Sequence, residues 1–260
     1  PGNYVINVRS NDARYANTEP TRFEVKDKNI AGLELKLSVG ASISGTISVE
    51  GTNDPEILSK LRIETYKEPI DYGGGLLSER PTSNTGGRFS ITRITPGKVK
   101  FFIYKSETVT SDFLRFAMHI EHNGVELSNG IDVKPGEKLT DVRISLIYGD
   151  CTLSGQVKIP DDVKLITKNI VISARRLDEK IITSHLNQPI PQASTLVDSQ
   201  GQFTIRGLIS GDYELTLWAY TLPASLEEDP TIIYNKQNVT LKSGITETII
   251  VLDPTKKEQQ

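Results

Sequence analysis

Apolar and polar residues alternate along most of this chain, and helical periodicity is nearly absent. Tyr4, Ile6 and Val8 fall on one face of an extended segment, as do Leu33, Leu35 and Leu37, Phe101 and Ile103, and Tyr213, Leu215 and Leu217. Successive side chains of a strand point to opposite faces, so such runs predict half-buried β-strands. Ile43, Thr46 and Val49 follow the pattern more loosely. Residues 245–252 are so rich in β-branched side chains that strand is favoured over helix. Turn-forming pairs interrupt the runs at Pro96-Gly97, Asn123-Gly124, Asn129-Gly130, Pro135-Gly136 and Ser243-Gly244. Short strands punctuated in this way predict a two-sheet antiparallel sandwich. Residues 55–61 and 223–228 read as helical turns, each opening with a Pro suited to a first helical position.

The pattern repeats. Gly87-Arg88-Phe89-Ser90-Ile91 with Pro96-Gly97 returns as Gly201-Gln202-Phe203-Thr204-Ile205 with Ser210-Gly211, a uniform displacement of 114 positions. Ile43-Ser44-Gly45-Thr46-Ile47 returns as Leu153-Ser154-Gly155-Gln156-Val157, displaced by 110. Pro1-Gly2-Asn3-Tyr4 matches Ser210-Gly211-Asp212-Tyr213. The implied organisation is the C-terminal portion of a preceding β-sandwich in residues 1–39, one module in 40–149, a second in 150–253 and a polar tail in 254–260. Units of this length can hold a core of their own, unlike solenoid or propeller repeats of about 20–50 residues. The expected fold class is therefore all-β, with tandem two-sheet antiparallel β-sandwiches of Ig-like architecture. Neither junction is a flexible linker, which favours a semi-rigid string of modules. Residues 1–39 should supply closing strands only, leaving a strand edge and a core face for another protein chain or for upstream modules of the same protein.

Composition narrows the function classes. A net charge of -3 over 260 residues leaves no basic footprint for nucleic acid. Cys151 is the one cysteine, so no internal disulfide framework and no CxxC pair exists, and its strand context predicts a small buried hydrophobe. No run of 18 apolar residues is present to span a membrane, and residues 1–20 lack the layout of a signal peptide.

Candidate chemistry is sparse. His119-Ile120-Glu121-His122 places two imidazoles three positions apart, on opposite faces of a strand, so they cannot close on one metal ion without a bulge. His185 has no evident partner. The chain lacks the G-x-S-x-G nucleophile turn, a phosphate loop and a helical H-E-x-x-H pair. Gly73-Gly74-Gly75 has no helix behind it, and Glu227-Glu228-Asp229 lacks EF-hand spacing. These readings predict a non-enzyme without metal or cofactor.

The aromatic residues give a sharper signal. In the strand around Tyr213, Leu215 and Leu217, the opposite face carries Glu214, Thr216, Trp218 and Tyr220. The first module has Phe102 and Tyr104 where the second has Thr216 and Trp218. Left exposed, they form a patch suited to a partner or ligand; covered by residues 105–113 and 221–230, they are structural. Residues 67–85, with Tyr72 among three glycines, form a second candidate loop. The candidate binding residues are thus Phe102, Tyr104, Trp218, Tyr220 and Tyr72.

The recurrent grammar is an S-G-x-[IV] strand, a G-x-F-x-I strand, a turn ending in Gly and an aromatic-aliphatic strand. It resembles the bacterial carboxypeptidase regulatory-like domain, a transthyretin-like (prealbumin-like) seven-stranded sandwich akin to Cna B-type repeats, which implies tandem seven-stranded antiparallel β-sandwiches here. Asp198-Ser199-Gln200-Gly201-Gln202-Phe203 and Ser210-Gly211-Asp212-Tyr213 carry the likeness best, and Gly87-Arg88-Phe89 lacks the upstream Asp. The resemblance implies an exported, extracytoplasmic array (secreted, periplasmic or on the cell surface) and no peptidase activity. Some Cna B-type relatives form a Lys–Asn or Lys–Asp isopeptide between first and last strands. Lys158 and Asp253 are the pair that could be nominated for it here, but the first module has no Lys between Ser42 and Val49, so the device is not general in this chain. The expected function is a structural scaffold, stalk or protein-interaction surface. The alternative is an accessory module binding a glycan or an apolar small molecule through the outer-face aromatics.

Overall fold

The computed structural model describes the chain except at residues 7, 9, 13, 17–20, 67–86, 107–112, 161–169, 180–190, 222–230, 254 and 256–260. In the N-terminal segment, β1 (Gly2–Ile6) and β2 (Thr21–Val25) form an antiparallel ribbon with Tyr4 stacked on Phe23. Residues 26–38 form no strand, although Leu33, Leu35 and Leu37 alternate as one. A single bridge, Tyr15 to Val39, is the pairing made there among the described residues. In both modules the corresponding closing strand lies parallel to that module's opening strand. Residues 26–38 have no such neighbour among the described residues, and an extended chain without ladder partners is not held as a strand.

The first module runs through β3 (Ala41–Glu50), α1 (Glu56–Lys60), β4 (Leu61–Tyr66), β5 (Arg88–Ile94), β6 (Gly97–Ser106), β7 (Phe113–Arg115), β8 (Ala117–His122), β9 (Val125–Glu126), β10 (Ile131–Val133) and β11 (Lys138–Ile147). The second runs through β12 (Cys151–Lys158), β13 (Val171–Arg176), β14 (Ala193–Leu196), β15 (Gln202–Leu208), β16 (Gly211–Thr221), β17 (Thr231–Leu241) and β18 (Gly244–Val251). The second has the expected seven strands among the described residues; the first has nine. Pro55 caps α1, and residues 223–228 lie outside the described residues. The sheets are not wholly antiparallel, because opening and closing strands pair in parallel in each module, β3 with β11 and β12 with β18.

The repeated motif has a direct physical cause. Gly45 lies opposite Phe89 and Gly155 opposite Phe203, so the two halves of the grammar are cross-strand partners. A Cβ on Gly155 would sit 2.6 Å from the Phe203 ring and 2.5 Å from the Thr248 carbonyl oxygen. On Gly45 it would sit 1.7 Å from the carbonyl oxygen of Val142, at the bulge between Leu139 and Val142. Glycine at this position lets the closing strand and the aromatic ring approach the opening strand from its two sides. Both rings join one contiguous core, to which the first module contributes Ile43, Ile91 and Ile144 and the second Leu153, Ile205 and Leu215. Cys151 is fully buried, as its strand context implies.

The modules share a sheet. The long sheet runs β10-β6-β7-β14-β13-β16-β17, with β4 also paired to β6, and so crosses from one module into the other at β7–β14. A Cβ on Gly149 would meet the Leu208 carbonyl at 1.8 Å, and Gly149 N–H donates to the Gly207 carbonyl. The Tyr148 ring packs at Phe116 and over Gly207, and burial pushes its phenol above the usual tyrosine range. Two sandwiches with closed cores of their own are the expectation from the repeat. Instead β7 pairs with β6 along one edge and with β14 along the other, which carries the sheet across.

The origin of β7 is legible in the registers. Along β16, β17 pairs without interruption from Thr221 to Gly211. Along β6 the same course is divided, β7 pairing with Tyr104–Ser106 and β10 with Gly97–Val99. Sixteen positions separate Arg115 from Ile131, whereas five separate the corresponding Tyr234 and Val239. The extra chain leaves the sheet, crosses to the other one and lays β8 against β11, with β9 outside it. Asn123 and Gly124, at φ 54 and 77, close that hairpin with the two left-handed residues of a tight primed turn.

Candidate functional site

Residues directly opposite on neighbouring strands share a face, so the registers assign the outer face of the long sheet. One row reads Ser106, Phe113, Ser194, Ser173, Thr216 and Lys236. A second joins Tyr104 to Arg115, and beyond the seam Arg175 to Glu214. A third joins Leu196, Val171, Trp218 and Tyr234. Aromatics from both modules therefore lie on one face, Tyr104 and Phe113 near one end and Trp218 and Tyr234 near the other. Three strand spacings separate β7 from β16, about 15 Å.

The outer-face aromatics are covered to different extents. Phe102 is 4% exposed, because Phe113 stacks at 6.4 Å and Tyr104 leans on it at 5.4 Å. Tyr104 and Trp218 are half-buried. The Tyr104 hydroxyl donates to Glu64 Oε1 at 2.9 Å, and the Trp218 ring meets Tyr234 edge-on at 4.6 Å. Tyr220 is opposite Ile232 in the backbone register, and its side chain lies outside the described residues, as does Tyr72. The covering of Phe102 comes from Phe113, the last residue of the 105–113 segment expected to do it; residues 107–112 and 222–230 lie outside the described residues. Sequence reasoning misses Phe113 and Tyr234. Their membership depends on strand order, which no local pattern encodes.

Between the aromatic ends lie ionic groups. Glu214 accepts from Arg175 Nη2 at 3.1 Å and from Lys236 Nζ at 3.0 Å. Burial alone would push its carboxyl up; the hydrogen bonds from Lys236 and Arg175 outweigh that and hold it below the usual value. At the seam, Arg115 Nη2 donates to Glu179 and to Gln192 Oε1, while Gln192 Nε2 returns a bond to the Arg115 carbonyl. This clasp ties β7 of one module to residues of the other with charge-assisted bonds.

Among the described residues, His119 and His122 belong to no metal-binding group. His119 and His122 lie on β8, and His119 Nδ1 is 3.4 Å from Glu126 Oε1 on the solvent side. His185 lies outside the described residues. Among the described residues no group of three His, Cys, Asp or Glu could hold a metal ion. Lys158 is exposed on β12, while the Asp253 carboxylate accepts bonds from the Thr255 N–H and hydroxyl. No helix of the described residues is long and apolar enough to cross a membrane.

No protein-family model matches the chain. No curated protein matches it. Among solved structures, the minor pilin of Streptococcus agalactiae overlays 85% of this chain and 99% of its own at 15% identity and a TM-score of 0.29. A streptococcal ancillary pilin overlays 98% of this chain and 76% of its own at 10% identity and a TM-score of 0.26. The major pilin subunit of Bacillus cereus overlays 82% and 99% at 8% identity and a TM-score of 0.27. Overlays this loose carry nothing about what this chain does.

Proposed function

We propose that this chain is a non-catalytic, extracytoplasmic β-module array that serves as a stiff scaffold or stalk and as a protein-interaction surface. The observation that carries the reading is the long sheet running through both modules at β7–β14. A spacer must resist bending at its joints, and here the joint is made of strand pairing, the close approach of Gly149 to Leu208 and the Arg115 clasp. The division at residues 39/40 and 149/150 belongs to this reading, as does the use of the N-terminal edge by other chains or upstream modules. The extracytoplasmic location is supported by the resemblance of the repeat grammar to exported bacterial modules.

Stiffness is measurable with spin labels at the exposed Lys134 and Lys242, each changed to Cys; native Cys151 is fully buried and stays unlabelled. One narrow distance distribution is expected. A broad distribution, as two modules on a free hinge would give, overturns the scaffold reading.

A second reading is favoured by the placement of Tyr104, Phe113, Trp218 and Tyr234 on one face, with Arg175 between the two ends and Glu214 and Lys236 beside Trp218 and Tyr234. Aromatic faces flanking polar groups suit the alternating apolar and hydroxyl surfaces of a glycan. Phe102 would then act as a buried support for Tyr104 and Phe113 and not as a contact, with Tyr220 and Tyr72 as further candidates. Trp218 is the one tryptophan, so its fluorescence reports this face directly. A saturable shift with a glycan, lost in Tyr234→Ala, is expected on this reading, and no shift across a glycan panel removes it.

A further inference from the structure

The closing strands of the two modules occupy equivalent places but differ on their outer edge. In the first module β11 lies between β3 and β8, so both of its edges are paired. In the second, β18 pairs with β12 on one side and, among the described residues, with no strand on the other. Its register with β12 is unbroken from Gly244 to Val251, without the bulge that interrupts β11.

The side chains differ in the direction opposite to the one that protects an edge. Aligning Gly45 with Gly155 puts Arg143 and Ser145 of β11 at the positions of Ile249 and Val251 of β18. The covered strand thus carries Arg143, paired with Glu121 of β8, and a serine. The uncovered strand carries Ile245, Ile249 and Val251, exposed by 72%, 53% and 58%. Open edges are ordinarily blunted by Lys, Pro, a bulge or a short strand. β18 is eight residues long, unbulged and free of Lys and Pro.

We infer that the outer edge of β18 is an interaction surface for the same strand of a second copy of this chain, the two pairing antiparallel about a two-fold axis. The equivalent edge in the first module accepts an antiparallel strand, β8, which sets the geometry. The β18 sequence complements itself in one register. With Thr248 opposite its own copy, Ile245 faces Val251 of the second copy, twice by symmetry, and Ile249 faces Glu247. The two Glu247 carboxylates are thereby kept out of direct opposition, which would be unfavourable. The three-stranded sheet β15-β12-β18 becomes six-stranded, and an isologous contact of this kind closes at two chains. Main-chain hydrogen bonds along the edge supply the attraction, and the Ile and Val stripe supplies the register. The contact is narrow, so association is expected as a concentration-dependent equilibrium. This inference does not depend on the scaffold reading, since a chain that stays monomeric can still be stiff.

Sedimentation equilibrium of the whole chain at rising concentration tests it. The average mass is expected to climb from 28.7 kDa towards twice that value and stop there. In Ile245→Lys/Val251→Lys, like charges face each other at both ends of the paired strands. Dimerisation should weaken by about tenfold or more, with an unchanged melting temperature at concentrations where both proteins are monomeric, because both side chains are exposed. A mass fixed at the monomer value up to the solubility limit overturns the inference. So does a double variant that dimerises like the wild type. A ladder of species beyond the dimer overturns it in favour of a head-to-tail contact, with residues 33–39 of one copy on β18 of the next.

Discussion

In residues 150–253 the strand after the aromatic strand runs whole, from Thr231 to Leu241, beside all of β16. In residues 40–149 its counterpart is cut into β7 and β10, and the chain between them builds β8 and β9 on the opposite sheet. One change in connection has two consequences. β8 covers the closing strand of the first module, and β7, separated from β10, pairs with β14 of the second. What stays constant is the lock between glycine, phenylalanine and closing strand. The lock keeps the sandwich together, and the connection decides which edges remain open and how the modules join.

The largest effect should come from filling the lock. Gly45→Ala places a methyl 1.7 Å from the Val142 carbonyl oxygen, with the Val142 backbone nitrogen at 2.9 Å. Gly155→Ala meets the Thr248 carbonyl at 2.5 Å and the Phe203 ring, which can turn aside. Overpacking typically costs about 1–3 kcal/mol, so Gly45→Ala should lie at or beyond about 3 kcal/mol and Gly155→Ala near 2. Denaturant unfolding of the two variants decides it, and equal losses would mean that the bulge in β11 yields as easily as a ring.

The next effect tests the seam. Removing one partner of a buried ion pair costs about 3–5 kcal/mol. Glu179 is a quarter exposed, so Arg115→Ala should cost about 2 kcal/mol. Trp218 reports on the second module alone, whereas circular dichroism reports on both. The two probes should give one coincident transition in the wild type and separated transitions in Arg115→Ala. Coincidence in the variant as well would show that β7–β14 pairing and the Gly149 contact couple the modules without the clasp.

Much of this architecture is legible in the residues themselves. Alternation identifies the inner stripe Tyr213, Leu215, Leu217 and Ala219, each fully buried. The glycine-containing pairs locate the turns, and the displacement of Gly45 and Phe89 onto Gly155 and Phe203 reveals the duplication. Strand order is a different matter. Phe113 sits next to a stretch with no clear alternation, and its contact with Phe102 requires β7 to lie beside β6. Leu33, Leu35 and Leu37 fail in the other direction. Their alternation is that of a strand, but a strand also needs a neighbour, and periodicity within one segment cannot supply it. Likewise, the outer face of β16 reads as two polar and two aromatic residues, while the burial of Thr216 goes with its neighbours Lys236 and Ser173 on the flanking strands.

A smaller effect separates the modules at Tyr213. Its hydroxyl donates to the Ile209 carbonyl at 2.8 Å, and burial pushes its phenol up to about 12. The first module has Val99 at the equivalent place and makes no such bond. Tyr213→Phe leaves the Ile209 carbonyl without that donor and should cost about 1 kcal/mol. The phenol titrates higher in the folded chain than its ordinary 10, so its contribution is full below pH 10 and declines as pH rises towards 12. Melting temperatures of wild type and Tyr213→Phe should therefore converge in that alkaline window, and parallel curves would remove Tyr213 as the cause.

The weakest contrast concerns Glu214, where the first module carries Lys100 and no matching acid. Arg175 and Lys236 hold the Glu214 carboxyl below its ordinary 4.5 against the opposing effect of burial. A depressed folded value means that the stabilisation is present above the ordinary value and is lost as pH falls through the folded one. Lys236 is nearly half exposed, so solvent screening limits the contribution to about 1 kcal/mol or less. Glu214→Gln should lower the melting temperature of the second module slightly at neutral pH, followed through Trp218. The difference from wild type should shrink as the solution is acidified below pH 4.5. A difference that persists unchanged into acid would assign Glu214 a packing role on the outer face, with its charge irrelevant to the stability that distinguishes the second module.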